Sequence, residues 1–128
     1  MKLEHVAINV TDPVAMAKWY AQNLDMEIVR SQNEPPYMHF LADKARQSMI
    51  EIYRNEAAGV PDYAAVPPPN LHFAFAVSDM EGTRARLLAA GATAIGEITT
   101  TPMGDQLLFL RDPWQVTVQL VKRGKPML

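Results

Sequence analysis

Between Leu3 and Asp12 the chain alternates, LEHVAINVTD, with Val6, Ile8 and Val10 on one side of an extended backbone. His5, Ala7 and Asn9 fall on the other side. The pattern returns between Leu71 and Asp79 as LHFAFAVSD. There Leu71, Phe73, Phe75 and Val77 make the bulky side, and His72, Ala74 and Ala76 the small one. Each copy predicts a strand, carries one histidine near its start and ends in a Thr/Ser-Asp pair. Each therefore puts a histidine on the side away from the bulky apolar face.

The rest of each half comes in the same order. Asp12-Pro13 is a helix start, because Asp caps free N–H groups and Pro suits the first helical position. The helix is expected from Pro13 to about Leu24, burying Val14, Ala17 and Trp19 or Tyr20. A strand from Met26 to Arg30 comes next, then a proline-bearing loop to Pro36. Strands at Tyr37 to Leu41 and Ser48 to Arg54 complete a β-α-β-β-β order. Asn55 to Asn70 holds four of the ten prolines, including Pro67-Pro68-Pro69, and reads as an extended linker.

In the second half Asp79 caps a helix from about Met80 to Ala90, closed by Gly91. Strands are expected at Ala94 to Thr100, Gln106 to Arg111 and Gln115 to Lys122, with a turn at Asp112-Pro113. The single domain thus spans 1–122: module one 1–54, linker 55–70, module two 71–122, with 123–128 a tail. The last strands also correspond. MIEIYRN (from Met49) puts Glu51 opposite to Ile50 and Ile52, and TVQLVKR (from Thr117) puts Gln119 opposite to Val116, Val118 and Leu120. His5, Glu51, His72 and Gln119 therefore share the non-helix faces of their sheets, and would converge if those faces pack together.

Composition narrows the partners. With 128 residues and 48% hydrophobic, the chain has apolar material for one cored domain. Net charge is −2 with no basic stripe, which argues against a nucleic-acid or anionic-membrane partner. No apolar run approaches membrane-spanning length and the start is not a signal peptide, so a cytoplasmic location is expected. The absence of cysteine excludes disulfides and thiolate chemistry.

Two imidazoles, a carboxylate and an amide suit a divalent metal such as Zn, Ni, Co, Mn or Fe. Taken singly, a His or Gln in a half-open sheet is more often a hydrogen-bonded structural residue. The repetition of the polar pair on equivalent strands is what points to a metal.

With LEHVAINV, KWYAQNLDMEIVR (Lys18 to Arg30), LHFAFAV and FLRDPWQVTVQLV in this order, the sequence resembles the vicinal oxygen chelate superfamily. That group includes glyoxalase I, methylmalonyl-CoA epimerase, extradiol dioxygenases and bleomycin-resistance proteins. Asp25 replaces the Gly of its Leu-Gly-Met stretch. The resemblance implies an α+β fold of two βαβββ modules, whose mixed sheets curl into a cup around a metal with the helices outside. Its ligand positions fall on the first and last strand of each module, here His5, Glu51, His72 and Gln119. Gln119 stands where metal-dependent members usually carry Glu, which leaves Glu51 the one carboxylate of the set and the expected catalytic base.

The expected function is that of a metal-dependent lyase or isomerase abstracting a proton next to a carbonyl of a small oxygenated substrate. An Fe(II) ring-cleaving dioxygenase with His5, His72 and Glu51, and a metal-free antibiotic-binding protein, are the alternatives. Asn55 lies where glyoxalase I-like proteins have a substrate-binding Asn. Asn9 replaces their usual Arg, which argues against glutathione. His39 has two readings, substrate contact or structural partner, the second preferred. A homodimer is expected, since half-cups leave sheet edges to cover.

Overall fold

The computed structural model describes residues 1–127, so that only Leu128, the end of the expected tail, lies outside. The chain divides into two compact units, Met1–Pro61 and Asp62–Leu128. In the first, β1 (His5–Asn9), α1 (Pro13–Asn23), β2 (Glu27–Ser31), β3 (His39–Ala42) and β4 (Met49–Tyr53) succeed one another in chain order. In the second, β5 (Phe73–Ala76), α2 (Met80–Ala89), β6 (Thr93–Thr100), β7 (Gln106–Arg111) and β8 (Thr117–Lys122) repeat that order. These are two βαβββ modules of an α+β fold, as the two alternating stretches predict.

Each module is a four-stranded mixed sheet with the same strand order, β1-β4-β3-β2 and β5-β8-β7-β6. The first and last strands of each module run parallel, and the other pairs are antiparallel. The first and second strands therefore run the same way at opposite edges of the sheet, and the helix between them makes the crossover that parallel strands demand. The ladder slips between Ile28 and Arg30 in β2 and again between Ile95 and Thr99 in β6. Such irregularities bend a strand and increase its twist, and they fall at the same place in both modules.

The helices begin as the sequence predicts. Asp12 Oδ1 accepts from Ala15 N at 3.1 Å with Pro13 in the first turn, and Asp79 Oδ1 accepts from Gly82 N at 3.0 Å. Gly91, at φ +103°, comes after the Ala90 cap in a conformation that a side chain would strain. The buried stripe of α1 is Pro13, Met16, Ala17 and Tyr20, at helical spacing. Val14 is half exposed, against expectation, because it sits one residue round the helix from that stripe. With Ile8, Leu41, Ile50 and Ile52 these residues make the core of the first unit. Met80, Leu87, Leu108, Leu110, Val118 and Leu120 are the buried apolar set of the second. No helix among the described residues is long and apolar enough to cross a membrane.

Candidate functional site

Strand register fixes which side chains share the face away from each helix. Across the parallel β1–β4 pair, Ala7 is beside Glu51, and across the antiparallel β3–β4 pair Phe40 is beside Glu51. His5, two residues before Ala7, lies on the same face. Its ring meets Phe40 edge-on, with centroids 5.3 Å apart and planes at 82°. The second unit repeats the arrangement: Ala74 and Phe109 flank Gln119, and His72 meets Phe109 edge-on at 5.2 Å and 79°. The four expected residues therefore come together as two pairs, one per unit, each with a phenylalanine against its histidine.

Sequence reading missed the two phenylalanines. The signal was present, since Phe40 and Phe109 fall at corresponding places ahead of the two last strands.

Each histidine has an oxygen near Nδ1. His5 Nδ1 lies 3.3 Å from Glu4 Oε1, and His72 Nδ1 lies 2.8 Å from the Pro68 carbonyl oxygen. The Pro68 carbonyl accepts only, so His72 Nδ1 carries the proton and donates it, whereas the longer, exposed contact of His5 Nδ1 does not by itself fix the His5 tautomer. In a neutral His72 ring Nε2 is then the lone-pair nitrogen, the arrangement found where histidine binds a metal.

His5 Nε2 then faces Glu51 Oε2 at 3.4 Å, with both side chains partly exposed. That separation is beyond the usual range of a direct N–H···O bond. It equals the spacing of two donors sharing one ion: ligands about 2.1 Å from a metal stand roughly 3.0–3.4 Å apart in octahedral or tetrahedral geometry. A ring nitrogen and a carboxylate oxygen are drawn together by a proton on that nitrogen or by a cation between them. The donor chemistry thus fits a divalent ion. Among the described residues no three His, Asp or Glu side chains form a cluster that could hold one.

Two other expected residues fall elsewhere. His39 is buried and pairs across the sheet with Ile52, on the helix-covered face opposite to Glu51. Its Nδ1 donates to the Tyr37 carbonyl at 2.7 Å. His39 is thus a structural partner of the Tyr37 main chain, against the expectation of a substrate contact. Asn55 borders an open cleft of about 420 Å³ with Pro35, Pro36, Tyr37, Arg54 and Glu56. Its main chain is clamped by the buried Asn9: Asn9 Oδ1 accepts from Asn55 N, and Nδ2 donates to the Asn55 and Gly59 carbonyls, all at 2.8 Å. Asn9 thus shapes the loop after β4.

Residues 2–120 match the family described as Glyoxalase/Bleomycin resistance protein/Dioxygenase superfamily. No curated protein matches the chain. Among solved structures, a glyoxalase/bleomycin resistance protein/dioxygenase family enzyme from Burkholderia phytofirmans PsJN is similar at 22% identity and TM-score 0.77, covering 96% of this chain and 99% of that one. TnmS3, an antibiotic binding protein from Streptomyces sp. CB03234, is similar at 16% identity and TM-score 0.74, covering 97% of each chain. TioX from Micromonospora sp. ML1 is similar at 18% identity and TM-score 0.69, covering 96% and 99%. At these identities the likeness is one of fold.

Proposed function

The chain belongs to the Glyoxalase/Bleomycin resistance protein/Dioxygenase superfamily, and on that footing we propose that it is a metal-dependent lyase or isomerase. It moves a proton next to a carbonyl of a small oxygenated substrate, and His5, Glu51, His72 and Gln119 hold its ion. The observation that carries this reading is the approach of His5 Nε2 and Glu51 Oε2 to 3.4 Å, the spacing of two ligands on one ion.

Each residue has a part in the chemistry. His5 and His72 would bind through Nε2, the His72 ring steadied by its Nδ1–H bond and both rings by an edge-on phenylalanine. Gln119 offers a neutral amide oxygen. A bound divalent ion supplies Lewis acidity at the substrate's oxygens. Glu51, the one carboxylate of the four, takes the proton from carbon and returns it to the neighbouring position. The small Ala7 and Ala74 beside Glu51 and Gln119 leave room over each pair.

A second reading rests on the same gap. If a proton rather than an ion relieves it, His5 and Glu51 are an ion pair, and the protein is a metal-free binder of small molecules, as TnmS3 is a binder of an antibiotic. Zinc or nickel titration of the chelator-treated protein separates the two. One ion bound per site, with affinity lost in Glu51→Gln, supports the metal reading. No binding by the parent supports the second. Oxygen uptake with a catechol would move the assignment to an Fe(II) dioxygenase. The assembly is proposed to be a cytoplasmic homodimer in which edge strands meet a partner, and sedimentation as a monomer across micromolar concentrations would refute that.

A further inference from the structure

Arg111 ends β7 on the same sheet face as Gln119, paired in register with Thr117. Its guanidinium is spent on main-chain carbonyls. Nη1 donates to Tyr63 O at 2.7 Å and Gln115 O at 2.9 Å, and Nη2 donates to Val66 O at 2.9 Å. A longer contact, 3.5 Å, reaches Ala64 O. Two of these carbonyls belong to the short 3-10 helix Tyr63–Ala65 and one to the residue after it. Arginine suits the task because its planar fork presents several fixed donors at once.

The grip bears on the segment immediately C-terminal to it. Val66 leads directly into Pro67-Pro68-Pro69, where each ring confines φ to about −65° and stiffens the link. Asn70 N closes a turn on the Pro67 carbonyl at 2.9 Å. The next carbonyl, that of Pro68, accepts the Nδ1 proton of His72. An anchored Val66 carbonyl, a stiff proline run and the His72 imidazole thus form one continuous path. His5 has no such path: its Nδ1 meets the exposed carboxylate of the preceding residue, Glu4.

We propose that Arg111 is a positioning residue for His72. By holding residues 63–66 it keeps the Pro68 carbonyl where it fixes His72 in the Nδ1–H tautomer, with Nε2 free to bind. In the bare sequence Pro67-Pro68-Pro69 reads as a spacer. The proposal gives it a role in the site, and its link to metal affinity rests on the metal-dependent function proposed for the four residues.

Long-range 15N–1H spectra of the imidazoles, recorded on the metal-free full chain, test it directly. In the parent, His72 should report Nδ1–H and a bare Nε2. In Arg111→Met the opposite tautomer should appear at His72 while the His5 signals stay as in the parent. Arg111→Lys, keeping charge but not the fork, should restore the parental tautomer in part. Pro67→Gly leaves the arginine grip in place and loosens only the link to Pro68. It should shift His72 in the same way, and it decides the matter if Arg111→Met fails to fold. A folded variant of either kind with an unchanged His72 tautomer overturns the proposal. Zinc affinity, read separately, should fall about tenfold in both variants, the low end for lost outer-shell support. A parent that binds no zinc sinks the metal reading alone, since the tautomer is measured without metal.

Discussion

Glu51 and Gln119 occupy the same place in their two modules, each between an alanine on the parallel neighbour strand and a phenylalanine on the antiparallel one. The carboxylate is present in one module only. Its partner histidine, His5, is 3.4 Å away through Nε2 and Oε2.

This equivalence makes the double exchange Glu51→Gln with Gln119→Glu the informative protein. It keeps the summed charge of the four residues and moves the carboxylate to the other module. Zinc titration should give parental affinity, while Glu51→Gln alone binds at least tenfold more weakly. If Glu51 is the base, turnover in the double exchange collapses or product stereochemistry changes, because the carboxylate approaches from another side. Unchanged affinity in Glu51→Gln would remove Glu51 from the ligand set.

Asn9 holds the loop after β4 through three hydrogen bonds to Asn55 and Gly59. Asn9→Leu fills the space but leaves those main-chain groups to water or to nothing. A loss of about 1–3 kcal/mol in urea unfolding is expected. The Asn55 amide should exchange with solvent faster, and His5 signals should not move. Slow exchange retained at Asn55 would show that the loop is held by other means.

Asp112 is buried, and its Oδ1 accepts from both Trp114 N and Val116 N at 2.9 Å, fastening the turn between β7 and β8. Asp112→Ala should cost about 1–3 kcal/mol, since two amides lose their acceptor. Asp112→Asn keeps an oxygen there and should cost less. Equal losses in the two variants would mean that the negative charge, rather than the acceptor atom, is what the turn requires.

Asp105 couples stability to pH. Its carboxyl is held below the usual value of 3.8, first by the Gly124 N–H on Oδ1 and then by the Arg123 guanidinium on Oδ2. A carboxyl with a lowered folded-state pKa stabilises the fold when charged. That contribution is complete above the unfolded value and is lost as pH falls through the folded one. Urea unfolding of the parent and Asp105→Asn should therefore differ most at neutral pH, with the gap closing below about pH 4. A gap independent of pH would assign the role to shape and not to charge.

Strand alternation, the Asp12 and Asp79 caps and the repeated βαβββ order were legible in the chain because they are local. Period two and helical spacing act over a few residues, and a capping carboxylate reaches an amide three positions on. The repeat marks His5 and His72, and Glu51 and Gln119, as equivalent positions. Packing decided what local pattern leaves open. Alternation gave His39 no face until β3 paired with β4, and helical spacing let Val14 compete for a core that Met16 and Tyr20 fill. The grip of Arg111 on Tyr63 and Val66, and of Asn9 on Asn55 and Gly59, joins residues more than forty positions apart through main-chain carbonyls and amides. Every residue except proline carries both groups, and proline still carries the carbonyl, so no side-chain pattern marks which of them will be held; only the folded path of the loops brings them within reach.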